Sequence, residues 1–181
     1  MYNLIKKFYI SVTNLIILYF SIIICYTFPQ YRIFILKTTP NLKVRNFIWK
    51  LLGNSIGENS YLNSDITLLT SPDIKTNIIL GNRVALSPNI TFITFSSPND
   101  SLLKINEKTK KYCKQGTIQI GDDTWVGTNT TIHPGIKIGK GCIIGAMSNI
   151  TKNIPDFCLA YGNPVRIIQN ITSQSNLYKT K

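Results

Sequence analysis

The chain has few acidic residues: only 8 of its 181 residues are Asp or Glu, against 20 Lys or Arg, which gives a formal net charge of +12. The shortage is most marked at the start, because no acidic residue precedes Glu58. A cationic segment beside an apolar one is attracted to anionic lipid. Basic proteins also bind nucleic acid, but the sequence carries no recognised nucleic-acid-binding motif, so we expect no such partner.

Histidine and cysteine are also scarce. His133 is the only histidine, and the four cysteines form no C-x-x-C pair. They are Cys25, Cys113, Cys142 and Cys158. Without paired cysteines or further histidines, the usual His/Cys metal cages are excluded, and we expect no metal cofactor. The cysteines are predicted to be reduced structural thiols of a cytosolic compartment.

Charge is absent from one long apolar run, residues 8–28, which contains no Asp, Glu, Lys, Arg or His. A helix of 21 residues is long enough to span a bilayer. More basic residues follow the run than precede it, which favours a main domain on the cytoplasmic side. Ser11, Thr13 and Asn14 weaken the run, so a helix in the membrane interface or one packed on the domain remains an alternative. We expect residues 1–50 to associate with the cytoplasmic face of the inner (plasma) membrane.

A repeat of six residues dominates the rest of the chain. Large apolar residues recur at this step in two series, with a break between them. The first series is Ile56, Leu62, Leu68, Ile74, Leu80, Leu86 and Phe92, and the second is Ile120, Val126, Ile132, Ile138, Ile144 and Ile150. A helix of 3.6 residues per turn does not produce a strict step of six, and strand alternation alone would mark every second residue. Short strands joined by corners do produce it, and such regular periods indicate a solenoid.

The residues between these apolar positions are typical of corners. Glycine follows directly at several sites, including Gly57, Gly81 and Gly121, and is expected to provide unusual backbone dihedrals. A small or aliphatic residue follows four positions later, as at Ser60, and can also point inward. Asn and Asp lie between these positions, as turn chemistry requires. The repeat therefore predicts a narrow all-β prism with an apolar interior.

The two series are separated by 28 residues, which is not a multiple of six. Residues 96–117 are therefore expected to leave the prism as a polar, basic protruding loop. Long loops in compact domains are usually functional or mobile.

Two segments of the repeat carry a resemblance to a known family. IGDDTWVGTNTTIHPGIKIGKGCIIGAMSNITKNIP and AYGNPVRII resemble the hexapeptide-repeat acyltransferases, in particular their sugar and polysaccharide O-acetyltransferase branch. The resemblance implies a left-handed parallel β-helix over residues 51–168, followed by a polar tail, 169–181. It also implies a homotrimer that moves an acetyl group from acetyl-CoA to a hydroxyl of a sugar or surface-polysaccharide intermediate.

The chain departs from the family where the general base is expected. Family members place a His in or just before the loop, and the matching positions here are Ser97 and, for another branch, Phe95. Asp100 in the same loop, His133 or a carboxylate of the acceptor are the alternative bases. A catalytically silent scaffold protein in a glycan-biosynthesis complex is the alternative function.

The remaining site residues follow from the resemblance alone. The backbone N–H of Thr128 matches the donor that stabilises the oxyanion, and Asn89 matches a residue that contacts the acceptor. The implied acetyl-CoA contacts are Trp125, Thr128, Ala146, Thr151, Lys152 and Arg166. Met147 stands where the family usually has glycine, which predicts a narrower groove for the pantetheine arm.

Overall fold

Helical segments precede the β-structure and interrupt it. The computed structural model describes residues 12–13, 15–17, 19–20, 23–71, 77–98, 101–104 and 107–171. A 3-10 turn, Pro29–Tyr31, leads into helix α1, Arg32–Thr38, and helix α2 is Leu42–Leu51. Asn41 precedes helix α2 and caps it, because its side-chain oxygen accepts from the backbone N–H groups of Lys43 and Val44. A second 3-10 turn, Leu102–Lys104, and a short helix α3, Glu107–Lys110, belong to the excursion described below.

In the described residues, thirteen short parallel strands wind into three walls, one antiparallel strand is added at the edge of one wall, and two further strands form a separate hairpin. The strands are β1 Ser55–Ile56, β2 Tyr61–Leu62, β3 Thr67–Leu69, β4 Ile78–Leu80, β5 Ala85–Leu86, β6 Thr91–Ile93, β7 Phe95–Ser96, β8 Lys114–Gln115, β9 Ile118–Ile120, β10 Trp125–Val126, β11 Thr131–Ile132, β12 Lys137–Ile138, β13 Ile143–Ile144, β14 Asn149–Ile150, β15 Cys158–Tyr161 and β16 Arg166–Asn170. Sheet A has the order β1-β4-β9-β12, sheet B β16-β15-β13-β10-β5-β2, and sheet C β14-β11-β6-β3. From β1 to β14, apart from the hairpin strands β7 and β8, successive strands visit the three sheets in turn, so the chain forms a triangular parallel β-helix.

The apolar repeat lines the interior of this prism, as predicted. Each repeat position stacks on its equivalent in the next coil: Leu86 pairs with Val126, which pairs with Ile144. Every repeat residue in the described strands is buried except Ile56, which is partly buried. The second set of inward positions is buried as well, Ser60 and Thr130 among them. Burying one such aliphatic side chain contributes roughly 1.5–3 kcal/mol, so the ladder is a large source of stability.

The regular spacing of glycine has a different cause from the one expected. Gly57, Gly81 and Gly121 do not have positive φ angles. A Cβ at Gly121 would instead lie 2.5 Å from the backbone nitrogen of Lys140 in the next coil. These glycines are required because adjacent coils approach too closely for a side chain. The left-handed corner conformation is taken two residues later by non-glycine residues such as Asp123, with φ +57°.

The first coil is longer than the six-residue register predicts. Leu68 lies on sheet C and Leu80 on sheet A, although they are separated by two steps of six. Adjacent walls in the later coils are one step apart, as for Ile132 and Ile138. The prediction that Ile74 forms a wall position concerns a residue outside the described parts of the chain. In the first coil, sheets C and A are therefore separated by six more residues than in the later coils. Because six residues are one full repeat step, the sequence pattern does not reveal this change.

The predicted loop leaves the prism between sheets C and A as an arm with paired ends. Strands β7 and β8 form an antiparallel hairpin, with Phe95 opposite Gln115 and Ser96 opposite Lys114. At its base, a Cβ at Gly116 would lie 2.6 Å from the Cα of Gly135, so the arm returns directly against the next coil. Leu102 and Tyr112 on the arm are largely exposed.

Helix α2 closes one end of the prism. Val44, Ile48 and Trp49 are fully buried, and the Trp49 ring packs edge-on against Phe92 with 5.6 Å between ring centroids. The Trp49 Nε1 donates to the Ser55 carbonyl at 3.0 Å, which fixes the helix on the first strand. We refer to residues 32–51, which contain α1 and α2, as the helical cap.

Candidate functional site

Two edges of the prism carry the residues expected in the site. The BC edge is where the chain passes from sheet B to sheet C, at residues 63–66, 87–90, 127–130 and 145–148. The CA edge is where it passes from sheet C to sheet A, and it includes the base of the arm, 133–136 and 151–153. Asn89, Thr128 and Ala146 lie on the BC edge, whereas Ser97, Thr151 and Lys152 lie at the CA edge. One chain therefore does not bring all of these residues together.

The backbone of Thr128 is available as a hydrogen-bond donor. Its side-chain Oγ1 donates to the carbonyl of Pro88 at 2.8 Å, and its own carbonyl accepts from the Met147 N–H at 2.8 Å. Within the described part of the chain, the Thr128 N–H has no acceptor. Thr128 thus presents a fixed N–H on a half-buried edge, which suits the stabilisation of a developing oxyanion.

Trp125 lies on the outer surface of sheet B next to this donor. Its side chain is 54% exposed, and its Nε1 donates to the Ser87 Oγ at 3.2 Å. The bond holds the indole over the neighbouring coil, so the ring forms an apolar surface beside Thr128. Sequence reasoning does not identify Ser87, because only the register of β5 and β10 places its corner next to this ring.

Asn89 has a structural partner. It adopts a left-handed conformation, with φ +62°, and its Nδ2 donates to the Oδ1 of Asn129 in the next coil. Both residues occupy the same corner of successive coils. This contact explains why an Asn occupies the corner. Asn89 is also exposed on the BC edge, and its contact with the acceptor stays a prediction.

Ala146 and Met147 form the next coil of the BC edge. Ala146 is exposed, and a Cβ at Gly127 would lie 2.6 Å from its backbone nitrogen, so the coils are tightly packed here. Met147 has φ +57°, and its side chain is 73% exposed. An apolar side chain of this size projects from the edge where the family usually has glycine.

The CA edge carries exposed polar and cationic groups. Thr151 and Lys152 are both exposed and follow β14 directly. Ser97 follows the arm strand β7 and is partly buried. Asp100 lies outside the described residues. The edge therefore combines the base of the arm with a cation suited to phosphate or to a polar cofactor arm.

His133 lies on the same edge as the arm. Its Nε2 is 2.8 Å from the Oδ1 of Asn149, and the Nδ2 of Asn149 donates to the Oδ1 of Asn163 at 3.1 Å. Because Asn149 uses its amide group towards Asn163, its oxygen accepts from His133, and Nε2 carries the proton. The imidazole is thus held by a side-chain row that the sequence does not indicate.

Arg166 lies on β16, the antiparallel strand that ends sheet B. It pairs with Tyr161, and the Tyr161 Cβ is the nearest atom to a Cβ built on Gly145, at 2.7 Å. Arg166 is exposed near the Ala146 end of the BC edge. This placement brings a guanidinium to the same edge as Thr128 and Ala146.

Two further ionisable groups, Cys142 and Asp123, are structural. Burial raises the pKa of the Cys142 thiol, which makes it a poor nucleophile at neutral pH. A hydrogen bond from Arg83 lowers the pKa of the Asp123 carboxyl, and this pair lies on the third edge of the prism. Over the described ranges, no group of three or more His, Cys, Asp or Glu side chains is arranged to hold a metal ion.

Comparison with known proteins agrees with this architecture. The profile of the family described as "Bacterial transferase hexapeptide (six repeats)" matches residues 117–152. The chain is 32% identical over 126 residues to galactoside O-acetyltransferase of Escherichia coli (strain K12), covering 70% of this chain and 58% of that protein. It is 34% identical over 115 residues to galactoside O-acetyltransferase of Lactococcus lactis subsp. lactis (strain IL1403), covering 64% of this chain and 52% of that protein. The chain thus spans little more than half the length of these two relatives.

A solved structure supports the same conclusion. The crystal structure of a maltose O-acetyltransferase from Clostridium difficile 630 superposes with a TM-score of 0.58 at 25% sequence identity. The match covers 78% of this chain and 83% of that one. The prediction of an all-β, left-handed parallel β-helix is confirmed. The chain belongs to the hexapeptide-repeat acyltransferase family.

Proposed function

We propose that the protein is an O-acetyltransferase that moves an acetyl group from acetyl-CoA to a hydroxyl of a sugar or surface-polysaccharide intermediate. The Thr128 N–H, which lacks an acceptor in the described structure and lies beside Trp125 and Ala146, carries the proposal. The relatives that are named galactoside and maltose O-acetyltransferases support the reaction class. They do not identify the acceptor of this chain.

The reaction follows from the groups on the edge. The acceptor hydroxyl attacks the thioester carbonyl, a C–O bond forms, and the carbonyl oxygen becomes an oxyanion that accepts from the Thr128 N–H. Collapse of this intermediate breaks the C–S bond and releases CoA, while the hydroxyl proton leaves to a base. A single preorganised donor of this kind is worth about 10²–10³ in kcat.

This chain differs from its family in the group that accepts the hydroxyl proton. Ser97 is not a general base at neutral pH, and a positioned base typically contributes about 10²–10⁴ in rate. Orientation of the two reactants supplies a larger share of the barrier reduction, about 7–11 kcal/mol. The site can therefore turn over more slowly with its base supplied by Asp100, by His133 or by a carboxylate of the acceptor.

We further propose that the active unit is a homotrimer. Thr128 and Ala146 lie on a different edge of the prism from Lys152 and the arm, so a complete site requires the BC edge of one subunit to face the CA edge of another. A closed threefold ring satisfies this requirement for all subunits at once.

A substitution at Thr128 tests the carrying observation directly. Pro88 occupies the equivalent corner position in the previous coil, so this corner accommodates proline. Thr128→Pro removes the N–H, and we expect kcat to fall by about 10²–10³ with acetyl-CoA binding retained. The matched control, Thr128→Ala, loses the same side-chain bond but keeps the N–H and should stay within about tenfold of wild type.

The measurement is acetyl transfer from acetyl-CoA to a panel of glycosides, with calorimetry for acetyl-CoA affinity. Equal rates for the two variants would remove Thr128 from the mechanism. Acetyl-CoA binding without transfer to any glycoside would favour the alternative function, a catalytically silent scaffold in a glycan-biosynthesis complex. The replacement of the usual His by Ser97 is the observation on which that alternative depends.

The location of the protein is a separate proposal. Helical backbone is described for residues 12–13, 15–17, 19–20 and 23–27, and large apolar side chains are exposed on all sides of it, including Ile16, Ile17 and Phe20. None of the helices in the described ranges is both long and apolar enough to cross a membrane. We propose that this helix and α1 bind the cytoplasmic leaflet of the inner (plasma) membrane, with Arg32 towards anionic lipid.

Vesicle binding tests the membrane proposal. The full chain should sediment with vesicles that contain phosphatidylglycerol and less with phosphatidylcholine alone. Replacing both Ile17 and Phe20 by Asp should abolish sedimentation with either kind of vesicle. Each substitution removes apolar area that would be buried in the membrane and adds a charge there. Ile79→Asp, the same kind of change on an exposed apolar residue of sheet A, is the control. Unchanged binding of the double variant would refute the proposal.

A further inference from the structure

A polar cavity lies between the helical cap and the first coil. Its volume is about 500 Å³, and it is lined by Lys37, Thr38, Pro40, Arg45, Tyr61, Asn63, Ser64 and Asp65. Small-molecule sites usually have about 300–1,000 Å³. The cavity is therefore large enough for a sugar unit, and it contains none of the residues that the resemblance indicated.

The walls of this cavity are held together by hydrogen bonds. Arg45, which is 3% exposed, donates from Nη1 to the Thr39 carbonyl at 2.6 Å and from Nε to the Leu62 carbonyl at 2.9 Å. The Asp65 N–H donates to the Lys37 carbonyl at 3.0 Å. The bonds from Arg45 to Leu62 and from Asp65 to Lys37 tie the helical cap to the first coil, and the bond from Arg45 to Thr39 holds the cap itself together. A ligand would thus meet preformed walls.

The cavity carries an excess of positive charge. The partners of the Arg45 guanidinium are two backbone carbonyls and the Tyr61 hydroxyl, none of which carries a full negative charge. Lys37 makes no ion pair with any residue that the structure describes. Asp65 is the only carboxylate in the lining, against two cations. One anionic group on a ligand would balance this charge.

Two residues of the cavity lining, Asn63 and Ser64, lie on the BC edge, which also carries the proposed site of acetyl transfer. The Asn63 N–H donates to the Leu86 carbonyl, and the Ser87 N–H donates to the Val126 carbonyl, so Asn63, Ser87 and Gly127 stack in successive coils. Coils are separated by about 4.8 Å, which puts Asn63 about 10 Å from the level of Thr128. A sugar in the cavity would extend its neighbouring unit towards the Thr128 N–H.

We propose that this cavity is the subsite that selects the acceptor, and that it selects a sugar unit carrying a carboxylate, with Lys37 as the recognising charge. The proposal rests on the proposed O-acetyltransferase function only for the statement that the bound sugar is then acetylated. The binding preference itself is independent of acetyl transfer. Tyr61, Asn63 and Ser64 supply hydroxyl and amide groups for the sugar hydroxyls.

The test compares matched acceptors on the full chain. Methyl glucoside and methyl glucuronide differ only in the C6 carboxylate, and binding of each is measured by ligand-observed NMR, alongside acetyl transfer. We expect the glucuronide to bind at least tenfold more tightly to the wild type, and Lys37→Met to reduce this preference to less than twofold. Lys50→Met, which removes a lysine at the end of α2 outside the cavity, should leave the preference unchanged.

A second variant distinguishes an effect of charge from a loss of structure, because it is expected to change the preference in the opposite direction. Asp65→Asn keeps a residue that tolerates the left-handed conformation, with φ +60°, and removes the one negative charge of the lining. It should increase the preference for the glucuronide. Equal binding of the two glycosides to the wild type, or a Lys37→Met variant with the wild-type preference, overturns the proposal. Lys37-dependent glucuronide binding without any acetyl transfer would sustain the subsite and refute the proposed function instead.

Discussion

At the scale of single residues, the corners of the coil meet two requirements, a positive φ angle and close packing against the next coil. Different positions meet each of them. Among the described residues, the non-glycine positions with positive φ are mostly Asn or Asp, which tolerate this conformation. They are Asn59, Asp65, Arg83, Asn89, Asp123, Asn129, Met147 and Phe157. Glycine also takes positive φ at some positions, such as Gly135, but at Gly121 it is required because the next coil is too close for a Cβ. The sequence indicates corner residues correctly but does not reveal which demand each one meets.

Gly121→Ala tests this division. The added Cβ would lie 2.5 Å from the Lys140 nitrogen and 2.8 Å from the Gly139 carbonyl carbon, and neither backbone atom can move without separating two coils. We expect a loss of about 1–3 kcal/mol or more in the free energy of unfolding, measured by thermal or urea denaturation. Gly135→Asn is the control, because Gly135 has φ +76° and no atom within 4 Å of a Cβ. An equal loss in both variants would contradict the steric explanation.

At the scale of strands, stability depends on ladders rather than on individual strands. Most strands in the walls have only two or three residues, too few for independent stability, but each buries one repeat side chain against its equivalents. Ile138 is fully buried and lies between Ile120 and Ile154 on sheet A. The six-residue repeat alone predicts this inward register, and the burial of Ile138 confirms it.

Ile138→Asp should therefore be severely destabilising. The variant loses about 1.5–3 kcal/mol of apolar burial and leaves a carboxylate without a partner in the interior, which adds several kcal/mol. Lys137→Asp, on the exposed side of the same strand, should change stability by no more than about 0.5 kcal/mol. Both are compared by their unfolding midpoints. A melting temperature of Ile138→Asp equal to that of wild type would show that the register is wrong.

At the scale of the whole molecule, the proposed site is divided between two edges of the prism. Separate inactivation of each edge tests this arrangement: Thr128→Pro affects the BC edge and Lys152→Ala the CA edge. If the edges of neighbouring subunits meet in a trimer, a refolded mixture of the two variants contains some sites that are intact on both sides. Random assembly should then restore about a quarter of the wild-type activity.

As the control for this complementation, each variant is unfolded and refolded alone, without the other. Refolding alone should not restore activity in that case. Activity that stays at the level of the single variants after mixing would place the complete site within one chain. Sedimentation equilibrium on the same samples reports whether the trimer has formed.

The sequence by itself determined the β-helix, because a fixed step of six with buried aliphatic residues has few other physical solutions. It also determined the excursion of the arm, since 28 residues do not fit the step, and the corner chemistry of Asn and Asp. These properties depend on the order of residues along one coil. They need no knowledge of how distant coils meet.

The tertiary structure alone decided which residues lie together between coils. The bond from Trp125 to Ser87, the row from His133 through Asn149 to Asn163, and the cavity between Lys37 and Asp65 all join residues far apart in sequence. The additional six residues in the first coil shift which wall each segment occupies without disturbing the repeat. Only packing fixes such contacts, because the repeat specifies which side chains point inward but not which outward side chains become neighbours.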